Sequence, residues 1–130
     1  MFHTKAQVSV EFLMLVILMV LIFSIYVPFL WRQQLEIEEE NEYLVGKKIA
    51  SSIKNEVETA VMFGSGYRRN FTLPEDIFGS DYTIAIDNKI LRIRWKNKGT
   101  EEYLIAHQIS GSPKPGKNII SNQEGVIVFS

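Results

Sequence analysis

The sequence predicts an α+β fold, in which a long N-terminal hydrophobic helix extends into an amphipathic helix packed on a small antiparallel β-sheet head. Three observations lead to this prediction. The segment from Phe12 to Trp31 contains no charged side chain, and its length of about 20 residues, or roughly 30 Å of helix, is enough to cross a bilayer. Apolar residues then recur at every fourth position up to Val61. The remainder alternates short apolar runs with turn residues, as expected for strands.

The composition limits both the domain count and the class of function. The chain has 130 residues, a formal net charge of −1 and no cysteine. About 100 residues follow the apolar segment, which is enough for one small domain with a modest core. Because the net charge is close to zero, nucleic acid is not expected as a partner. The lack of cysteine excludes disulfides, thiol catalysis and cysteine-ligated metal sites.

The apolar segment has three interpretations. A secretory signal peptide needs a shorter apolar core and a small-residue cleavage site behind it, whereas this run continues into Pro28-Phe29-Leu30-Trp31-Arg32. A plain membrane anchor would place Tyr26 and Trp31 at the interface and Lys5 on the cytoplasmic side. The third interpretation is a helix that loses a short leader in front of it and is itself retained. The residues before the apolar run favour this third interpretation.

The junction before the apolar run carries a short motif. It reads Lys5-Ala6-Gln7-Val8-Ser9-Val10-Glu11-Phe12 and resembles the class III signal peptide of archaeal type IV pilin-like proteins. The resemblance implies that a prepilin peptidase cuts the bond between Ala6 and Gln7. Ala6 departs from the glycine that is commoner in that family, but it keeps the small size. The resemblance also implies a lollipop-shaped subunit, made as a cell-membrane precursor and assembled into an extracellular pilus at the cell surface.

Glu11 and Phe12 open the apolar run and are the candidate assembly residues. A charge at a lipid boundary is costly, and an isolated carboxylate inside a packed bundle of helices would be strongly disfavoured. Cleavage before Gln7 would create a positively charged amino terminus about one helical turn from Glu11. Pairing of these two groups, within a subunit or between neighbours, would then specify register. In a single membrane anchor, Glu11 would instead simply face headgroups and water.

This interpretation divides the chain into four parts. They are a leader peptide at 1–6, a transmembrane or filament-core helix at 7–31, an amphipathic helix at 32–63 and a β-rich extracellular head at 64–130. Because Pro28 removes a backbone donor, a kink or local melting is expected near Ser24 to Pro28. The proline would mark either a simple kink, the end of the membrane span, or a flexible joint used in passing from membrane to filament.

The amphipathic helix is expected to combine a solvated face with an apolar stripe. Its acidic run is more typical of a solvated face than of a binding site, and a weak point near Gln33 to Asn41 is possible. Gly64-Ser65-Gly66 should end the helix near Phe63. The acidic run consists of Glu36, Glu38, Glu39, Glu40 and Glu42, and the stripe of Val45, Ile49, Ile53, Val57 and Val61.

The head should consist of short strands joined by tight turns. Asp87-Asn88 is a turn signal, so Tyr82–Ile86 and Ile90–Trp95 should pair as a hairpin. Further strands are expected at 71–73, 103–106, 118–121 and 125–129, with turns at 78–81 and 96–99 and a loop at 110–116.

The head carries no recognisable catalytic or cofactor motif. His107 stands alone beside a predicted strand, with no Ser-His-Asp set, paired-histidine motif or phosphate-binding glycine loop in the sequence. We therefore assign no catalytic, cofactor-binding or metal residue and do not expect an enzyme. Three surface features remain: Arg68-Arg69, which could be solvated or contact an acidic neighbour; Asn70-Phe71-Thr72, an N-glycosylation pattern with Asn70 as acceptor; and the Arg92, Arg94 and Lys96 face, which could be solvent-exposed, a subunit contact or adhesive.

The resemblance implies a structural function, namely that of a pilin in an archaeal type IV pilus-like filament with a role in adhesion, and raises the expectation of a glycoprotein. The expected partners are the membrane for the precursor, other pilin subunits, the prepilin peptidase and the pilus assembly platform, with no cofactor. The alternative is an unprocessed, single-span, membrane-anchored extracytoplasmic binding protein.

Overall fold

A computed structural model describes residues 2–130, with side chains from Gln7 onward. In this part of the chain one helix precedes seven strands, which confirms the predicted α+β class with a long apolar helix and antiparallel pairing. The leader with Ala6 of the expected cleavage site lies outside the described side chains. The elements are α1 (Phe2–Phe63), β1 (Arg68–Leu73), β2 (Tyr82–Asp87), β3 (Ile90–Trp95), β4 (Lys98–Tyr103), β5 (Gln108–Ser110), β6 (Gly116–Gln123) and β7 (Val126–Phe129).

The chain divides into two compact units, Met1–Glu39 and Glu40–Ser130. The first unit contains the apolar part of α1 and the mostly polar residues 32–39 that follow it. The second unit contains the remaining turns of α1, which are buried against the strands, and all seven strands of the described chain.

Helix α1 runs without interruption through Pro28 and through the acidic run. The local melting expected near Ser24 to Pro28 is therefore absent, as is a break between Gln33 and Asn41. Proline costs the helix one backbone hydrogen bond, and one turn earlier the Ser24 hydroxyl donates to the carbonyl of Val20 at 2.8 Å. A single missing bond is compatible with a continuous helix because the neighbouring turns keep theirs.

The helix ends at Phe63, as the glycines predict. Gly64 has a φ of 79°, which glycine adopts without steric cost. Its N–H donates to the carbonyl of Ala60 at 3.2 Å, so it closes the last turn in the manner of a left-handed C-terminal cap.

The strands form two sheets where a single sheet was expected. One has four strands in the order β1-β6-β7-β5, and the other has three strands in the order β2-β3-β4. All pairs are antiparallel except β5 and β7, where Ile109 lies opposite Ile127 in a parallel register. The short strand β5 was not expected from the sequence.

Two strand boundaries differ from the prediction because of turn geometry. The β2–β3 turn is formed by Asn88 and Lys89, with φ values of 49° and 69°, one residue later than expected. Positive φ at both positions matches the twist of a two-residue hairpin. The strand predicted at 103–106 is wrong: β4 spans 98–103, because the register pairs Trp95 with Lys98 and leaves only two residues for the turn.

The core lies between the second part of α1 and the two sheets. The expected stripe is confirmed at Ile49, Ile53 and Val57, but Val61 is 39% exposed and Ala60 is buried in its place. A spacing of four residues advances about 40° beyond a full helical turn at each step, so the pattern leaves the buried face by its fifth member. The facing residues include Leu73, Leu91, Ile93, Trp95, Ile120, Ile127 and Phe129.

Candidate assembly surface

The first compact unit exposes an apolar surface along its helix from Val8 to Trp31. Exposed fractions of the large apolar side chains between Val8 and Trp31 run from 44% at Val16 to 73% at Ile25. This part of α1 is long and apolar enough to cross a membrane, and none of its most apolar stretch is buried. An apolar surface of this extent requires a cover of lipid or of other apolar helices. By length and composition the segment is therefore sufficient for a membrane anchor.

Glu11 lies at the amino-terminal end of this surface. It is exposed, as is Phe12 beside it at 68%. Residues four apart share a helix face, so α1 brings Gln7 and Glu11 to the same side, followed by apolar Leu15. None of the described side chains forms an ion pair with Glu11. A helix that began at Gln7 would have unpaired N–H groups in its first turn and a positive dipole end, which would stabilise the carboxylate.

In the second unit, an ion pair joins α1 to the β3–β4 turn. Lys96 lies in that turn with a φ of 50°, and its Nζ donates to Oε1 of Glu42 at 2.8 Å. This hydrogen bond is the main reason that the pKa of Glu42 lies below its ordinary value, with partial burial opposing it and the charges of Lys96 and Lys98 adding to it. The side chain of Glu42 is only 12% exposed. The last member of the acidic run is therefore already used inside the molecule.

The indole of Trp95 lies next to this ion pair. Its Nε1 is buried and has no partner within hydrogen-bonding distance among the described residues. The indole also helps to lower the pKa of Glu42, as the smallest of its causes.

The Arg68-Arg69 pair has its partner in the same chain. Arg69 Nη1 lies 3.5 Å from Oε1 of Glu56 on α1, whose side chain is only 14% exposed. The other oxygen of Glu56 is buried without a partner among the described residues. Arg69 therefore compensates a buried carboxylate, while Arg68 is exposed.

The candidate glycosylation residue Asn70 is exposed and lies in β1, opposite Ile119 of β6. Strand β1 is an edge of the four-stranded sheet, and Thr72 of the same pattern is also exposed. The side-chain amide and hydroxyl of the pattern are therefore accessible from solvent.

The basic residues of β3 lie on the outer side of the three-stranded sheet. Arg92 and Arg94 alternate with buried Leu91, Ile93 and Trp95, and the sheet forms a shallow depression of about 580 Å³ beside them.

His107 is exposed. Among the described residues, no group of three or more histidine and carboxylate side chains could hold a metal ion.

Three residues that carry structure or surface chemistry were missed by the sequence interpretation. Gly46 accommodates the ring of Trp95, and Asn122 bonds the end of α1; neither lies in a recognisable motif. Phe78 is 65% exposed at a φ of 49°, an uncommon conformation for a bulky side chain. The turn at 78–81 was predicted, but nothing in the sequence indicated that its aromatic ring faces solvent.

Comparison with known protein families, with curated proteins and with solved structures finds no match to this chain. The functional interpretation rests on the sequence motif and on the geometry described above.

Proposed function

We propose that this protein is a structural subunit of an archaeal type IV pilus-like surface filament, a pilin with a class III signal peptide. One observation carries the proposal. A single continuous helix exposes every large apolar side chain from Val8 to Leu30 and then, without a break, supplies the buried Ile49, Ile53 and Val57 of a β-rich unit. The part from Val8 to Leu30 needs an apolar environment from outside the chain, whereas the part from Ile49 to Val57 is buried in the core of its own chain.

Two environments could cover the exposed part in succession. Lipid would cover it in the precursor, and the helices of neighbouring subunits would cover it in the filament. Transfer between them keeps the apolar area out of water throughout, so burial itself does not oppose it. The function is then mechanical: the helix assembles and the β-rich unit is displayed, with adhesion as its role at the surface and Asn70 as a glycan acceptor.

Processing before Gln7 links the motif to assembly. The cut removes the leader and places the new amino group at the start of the helix, one turn from Glu11. The prepilin peptidase and the pilus assembly platform are the partners this route requires. Glu11 then has a partner of opposite charge, which offsets the cost of burying its carboxylate between helices.

The mature amino terminus tests the proposal. The full-length chain is produced in archaeal cells that contain the peptidase, and intact-mass spectrometry determines its first residue. We expect the chain to begin at Gln7. Substitution of the small residue before the cut, Ala6→Phe, should leave the precursor uncut. A wild-type chain that still begins at Met1 contradicts the proposal and favours the unprocessed, membrane-anchored binding protein.

The assembly role of Glu11 has its own test. Glu11→Gln keeps the shape of the side chain and removes the charge, so we expect normal cleavage but a several-fold loss of sedimentable filament. Glu75→Gln, which changes an exposed carboxylate between β1 and β2, is the matched control and should assemble like the wild type. Normal filament yield from Glu11→Gln would reject the charge-register role and leave filament membership intact.

A further inference from the structure

We propose that the basic face of β3 and of the turn after it, formed by Arg92, Arg94 and Lys96, is a docking surface for the acidic run of α1 in a second copy of this chain. This inference rests on the proposed function, in which copies of the chain lie side by side. It adds an electrostatic contact outside the apolar helices.

The basic face is accessible and carries an excess of positive charge. Arg94 is exposed and lies between Thr83 and Gly99 on the two neighbouring strands. These small side chains leave the guanidinium open to a partner. The depression beside the face is lined by four basic side chains and one carboxylate, those of Arg92, Arg94, Lys96, Lys98 and Glu101.

Arg94 has no ion-pair partner among the described residues, whereas Arg92 donates from Nε to Glu101 at 2.9 Å. That bond uses only Nε. The two Nη groups of Arg92 can donate to other acceptors, since a guanidinium carries donors on all three nitrogens. The arginines can therefore receive additional carboxylates without breaking the contact that already exists.

The acidic run has the complementary property. Glu36, Glu38 and Glu40 are exposed, and no basic residue occurs from 33 to 41. Glu36 and Glu40 are four residues apart, a spacing at which like charges destabilise a helix. A basic partner would relieve this repulsion, and the run lies beyond the apolar segment, where water and other copies can reach it.

The spacing of the two sets matches. Arg92 and Arg94 project from the same side of a strand and are about 6.6 Å apart along it. Glu36 and Glu40 project from the same side of a helix and are about 6 Å apart along it. Two arginine–carboxylate pairs can therefore form together, and paired contacts of this kind are stronger and more directional than single ones.

The β3–β4 turn at the end of this face already contacts the same helix within the chain. Lys96 is paired with Glu42, the last member of the acidic run, at 2.8 Å. The contact shows that the chemistry of the two surfaces is compatible. It leaves Arg94, and the Nη groups of Arg92, for Glu36 and Glu40 in a neighbouring copy.

Cross-linking between two differently tagged full-length copies tests the contact with every charge intact. One copy carries Asn97→Cys beside the depression and the other carries Asn41→Cys next to the acidic run. Both positions are exposed, and the wild-type chain has no cysteine, so each copy has a single thiol. A short bismaleimide is used because long arginine and glutamate side chains hold the backbones further apart than a disulfide allows. We expect a mixed-tag dimer.

The matched control replaces Asn97→Cys by Lys117→Cys, which is exposed on the other sheet, and should give several-fold less dimer. Arg94→Glu in one copy or Glu40→Lys in the other should reduce the cross-link several-fold, and the two together should restore it. High salt should also weaken it.

The outcomes separate this inference from the proposed function. A chain that is cut before Gln7 and forms filaments, but gives no more dimer than the control, overturns the docking surface and leaves the pilin proposal intact. A chain that begins at Met1 yet cross-links in a charge-dependent manner supports the docking surface between membrane-anchored copies and overturns the pilin proposal. Cross-linking that is unaffected by the charge reversals also overturns the docking surface, because the pairing is then not electrostatic.

Discussion

Gly46 on α1 lies directly against the indole ring of Trp95 on β3. A Cβ atom at residue 46 would overlap Cη2 of the ring and lie 2.5 Å from Cζ3. Trp95 is 1% exposed, so its ring has no room to move away. The absence of a side chain at residue 46 therefore sets how closely the helix approaches the three-stranded sheet.

Gly46→Ala should destabilise the second compact unit. Overpacking a core costs about 1–3 kcal/mol, and this outweighs or offsets the gain of about 1 kcal/mol that alanine brings to a helix interior. The free energy of unfolding is measured by chemical denaturation of the full chain in detergent, followed by near-ultraviolet circular dichroism. In a Trp95→Phe background the smaller ring should relieve the overlap, and Gly46→Ala should then be neutral or stabilising. An equal loss in both backgrounds would show that the overlap is not the cause.

Asn122→Ala should loosen the end of α1. The side chain is 4% exposed; its Nδ2 donates to the carbonyl of Ala60 at 2.9 Å, and its Oδ1 accepts from the N–H of Gly125 at 2.9 Å. Truncation leaves the N–H of Gly125 without this acceptor and the carbonyl of Ala60 with only its hydrogen bond from Gly64, and losing a partner of this kind costs about 1–3 kcal/mol. Hydrogen exchange of the last turn of α1 and of the β6–β7 turn should increase together. The exposed neighbour Gln123→Ala is the control and should change neither segment.

The ion pair of Glu42 with Lys96 should make stability depend on pH in the acid range. The pKa of Glu42 is lowered on folding, mainly by the hydrogen bond from Lys96. A carboxyl group whose pKa is lowered on folding stabilises the folded state at pH values above its ordinary pKa of 4.5. This stabilisation is lost as the pH falls through the pKa of the folded state. Wild type should therefore be more stable than Lys96→Met at pH 7, and the difference should narrow in acid.

Denaturation curves collected at several pH values from neutral to acid measure this difference. The control is Lys117→Met, because Lys117 is exposed on β6 and its removal should shift stability equally at every pH. A difference between wild type and Lys96→Met that stays constant into the acid range would show that the pair does not contribute through the charge of Glu42.

Much of the fold could be predicted from local patterns. The helix end at Phe63 follows from the glycines behind it, and β2, β3 and β6 follow from short β-branched and apolar runs. The start of β4 could not be predicted in this way, since Lys98 and Gly99 look like turn residues. They become strand residues because β3 offers an unpaired edge within reach of a two-residue turn.

The candidate functional residues were likewise only partly predictable from the sequence. The motif around Gln7 and Glu11 is visible in the sequence, and its proposed role stays a prediction. The basic face was visible as alternating residues, but the unpaired state of Arg94 and the use of Lys96 by Glu42 were not. Ion pairs between positions 54 residues apart in the chain depend on how the helix and sheet meet.

The sequence by itself determined the elements of this protein: an uncharged segment long enough to span a bilayer, a helix beyond it with one apolar stripe, and strands separated by turn residues. These depend on hydrophobic periodicity and backbone preference, which are local properties. Tertiary structure decided how the elements combine, including the two sheets, the parallel β5–β7 pair and the close approach of Gly46 to Trp95. These features arise only when distant segments compete for the same buried surface, because packing and hydrogen-bond satisfaction are properties of the whole core.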